Sequence, residues 1–258
     1  MIDKPTPPLY SCGTMPISTF ANRIDKNAVR DLKNRPLPSP IDALNLVDIA
    51  NEASYRWYGL LLSPLVLLFG GRPIWAGVHQ RSLLGQKQAD EIVIVRYPSH
   101  RILLNIINST YYRLVNRLRE RGVSYLRFSI TYRHAGEKTM ERRGLYLVAH
   151  FNDKSDTGNE TFNKVRTILE HEPVRLLYAS REVAPLDIFR SLEPTDPNPV
   201  EYRETAIFSI DDVESAAAQV DENVQHALEA ATDGISIQIY RGLGTLEALP
   251  WAKTARAT

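Results

Sequence analysis

DEIVIVRYPSHRILLNIINSTYYRLVNRLRERGVSYLRFSITYR, from Asp90 to Arg133, is the stretch that decides the fold. IVIVRY is rich in β-branched residues and predicts a strand. After Pro98-Ser99, Leu103, Ile107, Tyr111, Leu114 and Leu118 recur at steps of four, four, three and four, one face of a helix. Gly122 supplies the helix stop. In YLRFSITYR, Leu126, Phe128, Ile130 and Tyr132 alternate with Tyr125, Arg127, Ser129, Thr131 and Arg133. That alternation predicts a strand with helices over one face and something more polar against the other.

The same layout returns from Arg203 to Arg241, in RETAIFSIDDVESAAAQVDENVQHALEAATDGISIQIYR. Setting Arg96 against Phe208 brings Gly122 onto Gly234, a gap-free offset of 112. An internal repeat outranks other signals in choosing an architecture. Working outward, IDALNLVDIA predicts a strand, and Asn51 caps a helix in which Tyr58, Leu61, Leu65 and Leu68 share a face. Pro64 predicts a kink there, Gly70-Gly71 end the helix, and RPIWAGVHQR predicts the next strand. Residues 41–133 therefore read β-α-β-β-α-β, the ferredoxin-like order. GLYLVAHF, a helix around 160–171 stopped by Pro173, and VRLLYAS begin a second such unit over 145–242. Its offset is about 100 to 102 before the loop APLDIFRSLEPTDPNP and 112 after it, which localises an insertion to that loop.

The remaining segments carry no repeat. Residues 1–40 hold seven of the sixteen prolines and predict an extended N-terminal arm lying over another element or another subunit, a route to a homo-oligomer. Residues 134–144 read as a charged linker, and 243–258 as a tail docked through Trp251.

Composition narrows the function classes. A formal net charge of +1 provides no global field for nucleic acid or an anionic membrane. With the single Cys12 the chain can build neither an intrachain disulfide nor a cysteine-based zinc site, and no metal is expected. The start lacks a basic and then apolar leader, and the most apolar run, Tyr58–Phe69, is about half a membrane span. A soluble, cytoplasmic protein is expected, with a small molecule as its partner. No phosphate-binding glycine loop, nucleophile elbow or paired-histidine metal motif is present.

GGRPIWAG (70–77), VRYPS (95–99) and NSTYYRLVNRLRERG (108–122) resemble a small family of uncharacterised bacterial domains within the dimeric α+β barrel superfamily. The resemblance spans roughly Ile41 to Arg133; the second unit matches in layout. It implies an α+β fold in which two tandem ferredoxin-like repeats form an intrachain dimeric α+β barrel. Families of this barrel include cofactor-independent monooxygenases, haem-degrading enzymes, chlorite dismutases, muconolactone isomerases and proteins without known catalysis, so fold alone selects no activity. Related haem-degrading enzymes carry a ligating histidine on the second helix; Asn116 and Leu228 stand at those places here, so no haem and no other cofactor is expected.

Polar strand faces turned into such a barrel are the places for chemistry. Arg127, Ser129 and Thr131 are expected inside, with Asn45, His150 and Gln238 from other strands. Trp57, Arg72, Trp75 and His79 form a second group, an aromatic wall with an arginine and an imidazole that suits an anionic aromatic or polyketide-like molecule. The expected catalytic set is His79 or His150 as base with Asn45 and Arg72 stabilising an oxyanion; Trp57, Trp75, Arg127, Ser129 and Gln238 would bind substrate. The expected activity is a cofactor-independent oxygenase or isomerase acting on a hydrophobic, aromatic or polyketide-like substrate. The alternative is a non-catalytic ligand-binding or assembly protein, in which packed interior side chains replace a cavity.

Overall fold

A computed structural model describes residues 26–137, 140, 143–152, 160–185, 202–244 and 247. The loop insertion, the Trp251 anchor and the first 25 residues of the arm lie outside the described residues. Elements follow in the order α1 (Lys26–Asn34), β1 (Ile41–Ile49), α2 (Glu52–Leu68), β2 (Arg72–Leu84), β3 (Glu91–Tyr97), α3 (His100–Asn108), α4 (Thr110–Gly122) and β4 (Val123–Gly136). Then come β5 (Leu145–Phe151), α5 (Glu160–Leu169), β6 (Arg175–Pro185), β7 (Glu204–Ile210), α6 (Val213–Gln219), α7 (Glu222–Ala231) and β8 (Ile235–Gly242).

All eight strands close into one antiparallel barrel in the order β1-β3-β2-β8-β5-β7-β6-β4. Closure leaves no free edge among these eight described strands. Two joints tie the halves together, β2 to β8 and β4 to β6. Strand alternation then sorts each side chain inward or outward. Outward residues such as Ile41, Ala43 and Ile130 pack under α1, α2, α3 and α4, with Val29, Leu103 and Ile107. Leu147, Phe151, Phe208 and Ile237 do the same beneath α5, α6 and α7, with Phe162 and Val165. Inward residues form a third cluster including Leu44, Leu46, Trp75, Ile92, Ile94, Tyr146, Val148, Tyr178, Ile207 and Tyr240. No described helix is long and apolar enough to cross a membrane.

Four expectations need correction. The arm is helical over α1, because KNAVRDLKN is free of proline and places Val29 and Leu32 three apart on one face, both buried against α3. Lys33 ties it down by donating to Asn105 Oδ1 at 2.9 Å. The expected long helices are each broken in two. Ser109 and Asp221 turn extended and cap the second segments, accepting from the backbone of Tyr112 and Val224. Those caps stand 112 apart, but β3 and β7 stand 113 apart. The gap-free alignment thus sets Arg96, bonded to Asp42 inside the barrel, against Phe208, which faces the helices; a one-residue slip exchanges faces. Finally, the linker is partly strand: β4 runs to Gly136 against Tyr178, and Met140 is buried in the interior cluster.

Candidate functional site

The two joints line the interior with different chemistry. At the β2–β8 joint the lining is aromatic. Trp75 meets Tyr146 and Tyr240 edge-on, at 5.3 and 6.5 Å between ring centroids. Its neighbour Gly77 leaves no room for a Cβ, which would stand 2.5 Å from the Trp75 ring. Gln238 seals this side by donating to Gln86 O (2.6 Å) and Ser236 Oγ (2.9 Å) and accepting from Gln88 N (3.2 Å). Tyr240 donates to Ala89 O at 3.0 Å. His79 lies 5.5 Å from the Tyr240 ring, and its Nε2 is 3.1 Å from Ser82 Oγ. Burial, then nearby Lys87, lowers its pKa below the usual histidine value. Trp75, His79 and Gln238 are therefore brought together as one wall, buried at Trp75 and Gln238 and partly open to solvent at His79.

At the β4–β6 joint the lining is polar. Arg96 grips Asp42 with two bonds, Nε to Oδ1 at 2.8 Å and Nη2 to Oδ2 at 2.9 Å. Thr131 donates to the Asp42 carbonyl at 3.1 Å. Arg127 donates to Glu182 Oε2 at 3.2 Å and to Tyr202 O at 2.8 Å. The Arg133 guanidinium stands 5.3 Å above the Tyr178 ring and donates to the carbonyls of Ala135 and Leu177. Register then continues the polar belt sideways: Arg133 pairs with Ser180, Ser180 with Thr205, and Thr205 with His150, all on the inward face.

His150 is 1% exposed, with Nδ1 at 3.0 Å from Thr205 Oγ1 and its ring stacked on Tyr202 at 6.1 Å. Burial, then the charge of Arg127, lowers its pKa to about 3, so the imidazole is neutral across the physiological range. Its Nε2 is buried with no hydrogen-bond partner; the buried Ser180 hydroxyl has only the Tyr178 hydroxyl beside it, outside close hydrogen-bond geometry. Buried polar atoms are paired as a rule, so the open Nε2 marks a place where something polar belongs. Ser129, buried on β4, joins this side.

Three expected residues fall elsewhere. Asn45 alternates with the inward Leu44 and Leu46, so it faces the helices, donating to Ala43 O and Val93 O at 3.2 and 3.1 Å. Arg72 is exposed at the start of β2, and Trp57 is exposed on the outer side of α2. These placements separate Asn45 and Arg72 from either histidine, so the four do not form one catalytic set. Asp42, Arg133, Tyr178, Ser180 and Thr205 were missed. The signal for Asp42 was partial: it is a charge near the start of β1, at the parity of the inward Leu44 and Leu46.

Residues 43–132 match the model of a domain of unknown function, DUF1330. No curated protein matches the chain. A structure described as an anthrone oxidase-like protein aligns at a TM-score of 0.50 and 11% identity, over 80% of this chain and 92% of that one. The fold is that of the dimeric α+β barrel proteins. A protein of unknown function from Rhodopseudomonas palustris aligns at a TM-score of 0.38 and 25% identity, over 42% of this chain and 95% of its own. A mutant chlorite dismutase from Candidatus Nitrospira defluvii aligns at 0.48 and 9% identity, over 83% and 95%.

The residues present do not suit a haem at the place where the resemblance would put one. Asn116 is buried and donates to Glu120 Oε1 at 3.0 Å, Leu228 is buried, and His226 is 81% exposed beside Glu229. Among the described residues no group of three histidine, cysteine or acidic side chains could hold a metal ion.

Proposed function

We propose that the chain consists of two tandem ferredoxin-like halves closed into one barrel, and that its polar joint binds a small, largely apolar molecule bearing oxygen. The observation that carries this reading is the unpartnered Nε2 of His150, buried beside Arg127, Thr205 and Tyr202. Leaving such a group unpaired costs about 1–3 kcal/mol, which a ligand hydroxyl or carbonyl would recover. An aromatic ligand suits the site, because Tyr178 and Tyr202 supply ring faces at either end of the belt.

Turnover of the cofactor-independent oxygenase or isomerase type is the second reading, and Arg127 favours it. If His150 takes a proton from an acidic C–H or O–H of the ligand, the imidazolium and the ligand anion form together, and Arg127 stabilises the anion. Against catalysis stands the low basicity of His150, together with an interior core filled by Trp75, Tyr146, Tyr178 and Tyr240. Binding is therefore the first reading.

Anthrone under air tests both. Saturable binding by titration calorimetry, at least tenfold weaker in His150→Leu, supports the site; absence of binding, or equal binding by the variant, removes it. Oxygen uptake that depends on His150 would promote the second reading over the first. Association of copies through the N-terminal arm, residues 1–40, is a separate proposal, checked by comparing the molar mass of the full chain with that of a chain lacking residues 1–25.

A further inference from the structure

The charges around the belt do not cancel, and the imbalance points to the class of ligand. Three arginines face the interior along the polar joint. Arg96 is committed to Asp42, and Arg127 to Glu182. Arg133 forms no close ion pair with a carboxylate among the described residues, although Asp42 and Glu137 act on it from farther off; its hydrogen bonds go to the carbonyls of Ala135 and Leu177. The acid closest to it in sequence, Glu137, is engaged by Arg175 at 3.1 Å. Asp42 is already engaged, accepting from Arg96 twice and from Tyr178.

A guanidinium has five donors in a planar fork, and two backbone bonds leave several of them open. Arg133 is held in place by the Tyr178 ring and is half-buried, which strengthens whatever it meets. Directly across the strand pair lies Ser180, 0% exposed, whose hydroxyl makes no close hydrogen bond and has only the Tyr178 hydroxyl beside it. The Ser180 hydroxyl can turn its hydrogen away from Tyr178, and with the spare donors of Arg133 beside it the pair is one that a carboxylate satisfies at once, one oxygen to each. The next inward position along that row is Thr205, and beyond it the open Nε2 of His150.

We infer that the ligand of this barrel is a small organic carboxylate, its anionic end held by Arg133 and Ser180 and its remaining body directed along the belt toward His150. The inference rests on the binding reading of the polar joint and adds the charge of the ligand to it. Arg133 and Ser180 act as binding residues, not as catalytic ones.

Titration calorimetry of the full chain with benzoate and with benzamide, its uncharged counterpart, tests the inference. Wild type is expected to bind benzoate at least tenfold more tightly than benzamide, in keeping with the strength of a charge-assisted pair. Arg133→Gln should erase that preference, Arg133→Lys should keep part of it, and Ser180→Ala should weaken benzoate alone by a few-fold. Thermal unfolding without ligand checks that each variant is folded; a preference lost in Arg133→Gln but kept in Arg133→Lys excludes general damage. Equal binding of both probes overturns the carboxylate inference and leaves the polar joint as a site for neutral molecules. A preference that survives Arg133→Gln but disappears in Arg72→Gln also overturns it, placing the anion at the rim. If wild type binds anthrone and neither benzoate nor benzamide, the inference fails and the binding reading stands; if it binds none of the three, both fail.

Discussion

Tyr178 donates its hydroxyl hydrogen to Asp42 Oδ2 at 3.1 Å, joining β6 to β1 across 136 residues of chain. The bond crosses the β4–β6 joint and is buried at both ends. Burial, then the negative charge of Asp42, raises the Tyr178 pKa, so the hydroxyl stays a donor at any ordinary pH. Asp42 in turn neutralises Arg96. The pair is thus both a clasp between the halves and a charge sink at the edge of the candidate site.

Removing either partner should have unequal costs. Tyr178→Phe loses one bond to a charged acceptor and leaves Asp42 paired with Arg96, a cost of about 1.5–3 kcal/mol. Asp42→Asn also strips Arg96 of its counter-charge and leaves an amide facing two guanidinium donors, so it should cost more than Tyr178→Phe. Urea unfolding with unchanged m-values measures both. The reverse order would mean that the Tyr178 hydroxyl, through its contacts with Ser180 and Thr131 as well as Asp42, rather than the carboxylate, holds the joint.

His150 should impose a pH dependence on stability. Its folded pKa, about 3, lies below the unfolded value near 6.5, so between the two the unfolded chain binds the extra proton. Stability from this group is fully present above about pH 6.5 and falls as the pH drops toward 3. The carboxylates titrate in the lower part of that range, so the clean window is about pH 5 to 6.5. There His150→Gln should flatten the slope of unfolding free energy by about one proton. An unchanged slope would mean that His150 is charged in the folded protein.

How much of this was visible in the sequence depends on the length scale. Alternation in YLRFSITYR placed Arg127, Ser129 and Thr131 inside, and the apolar partners outside, because parity along one strand is a local property. Asn45 was misplaced for the converse reason: β1 carries polar residues at both parities, Asp42 and Asp48 on one and Asn45 on the other, so its pattern does not say which face turns inward. The helix breaks at Ser109 and Asp221 were hidden because the apolar spacing continues through them, although both residues are strong caps. Pairings such as Arg133 with Ser180, or Tyr178 with Asp42, depend on how the two halves join, and no local pattern encodes that.

Gly122 and Gly59 form a matched test of helix packing. A Cβ on Gly122 would lie 2.6 Å from Tyr55 N and 2.8 Å from Tyr55 Cα, both backbone atoms of α2. The Gly122 carbonyl also takes the amides of Ala50 and Asn51, so the chain cannot back away without losing them. Gly122→Ala should therefore destabilise by about 1–3 kcal/mol. Gly59 has nothing within 4 Å of its Cβ position and sits inside α2. Gly59→Ala should stabilise by up to ~1 kcal/mol from helix propensity alone. Chemical denaturation of the two variants side by side checks the sign of each.

The last prediction concerns haem, which the resemblance to haem-degrading barrels raises and the side chains argue against. Axial ligation in such proteins needs a neutral imidazole directed at the iron. Asn116 offers an amide already committed to Glu120, and Leu228 offers hydrocarbon. His226 stands in solvent next to Glu229, while the ring of His150 is held on the inward face by Thr205 and Tyr202. His100 is buried near Lys33 O at the start of α3, away from both helix positions. Titration with haemin should therefore give no sharp Soret band saturating at one haem per chain, only the broad absorbance of non-specific association. A saturating band abolished by His226→Ala would show that α7 turns that ring inward on binding. One abolished by His150→Ala would place the iron in the barrel and replace the binding site proposed here with a haem pocket.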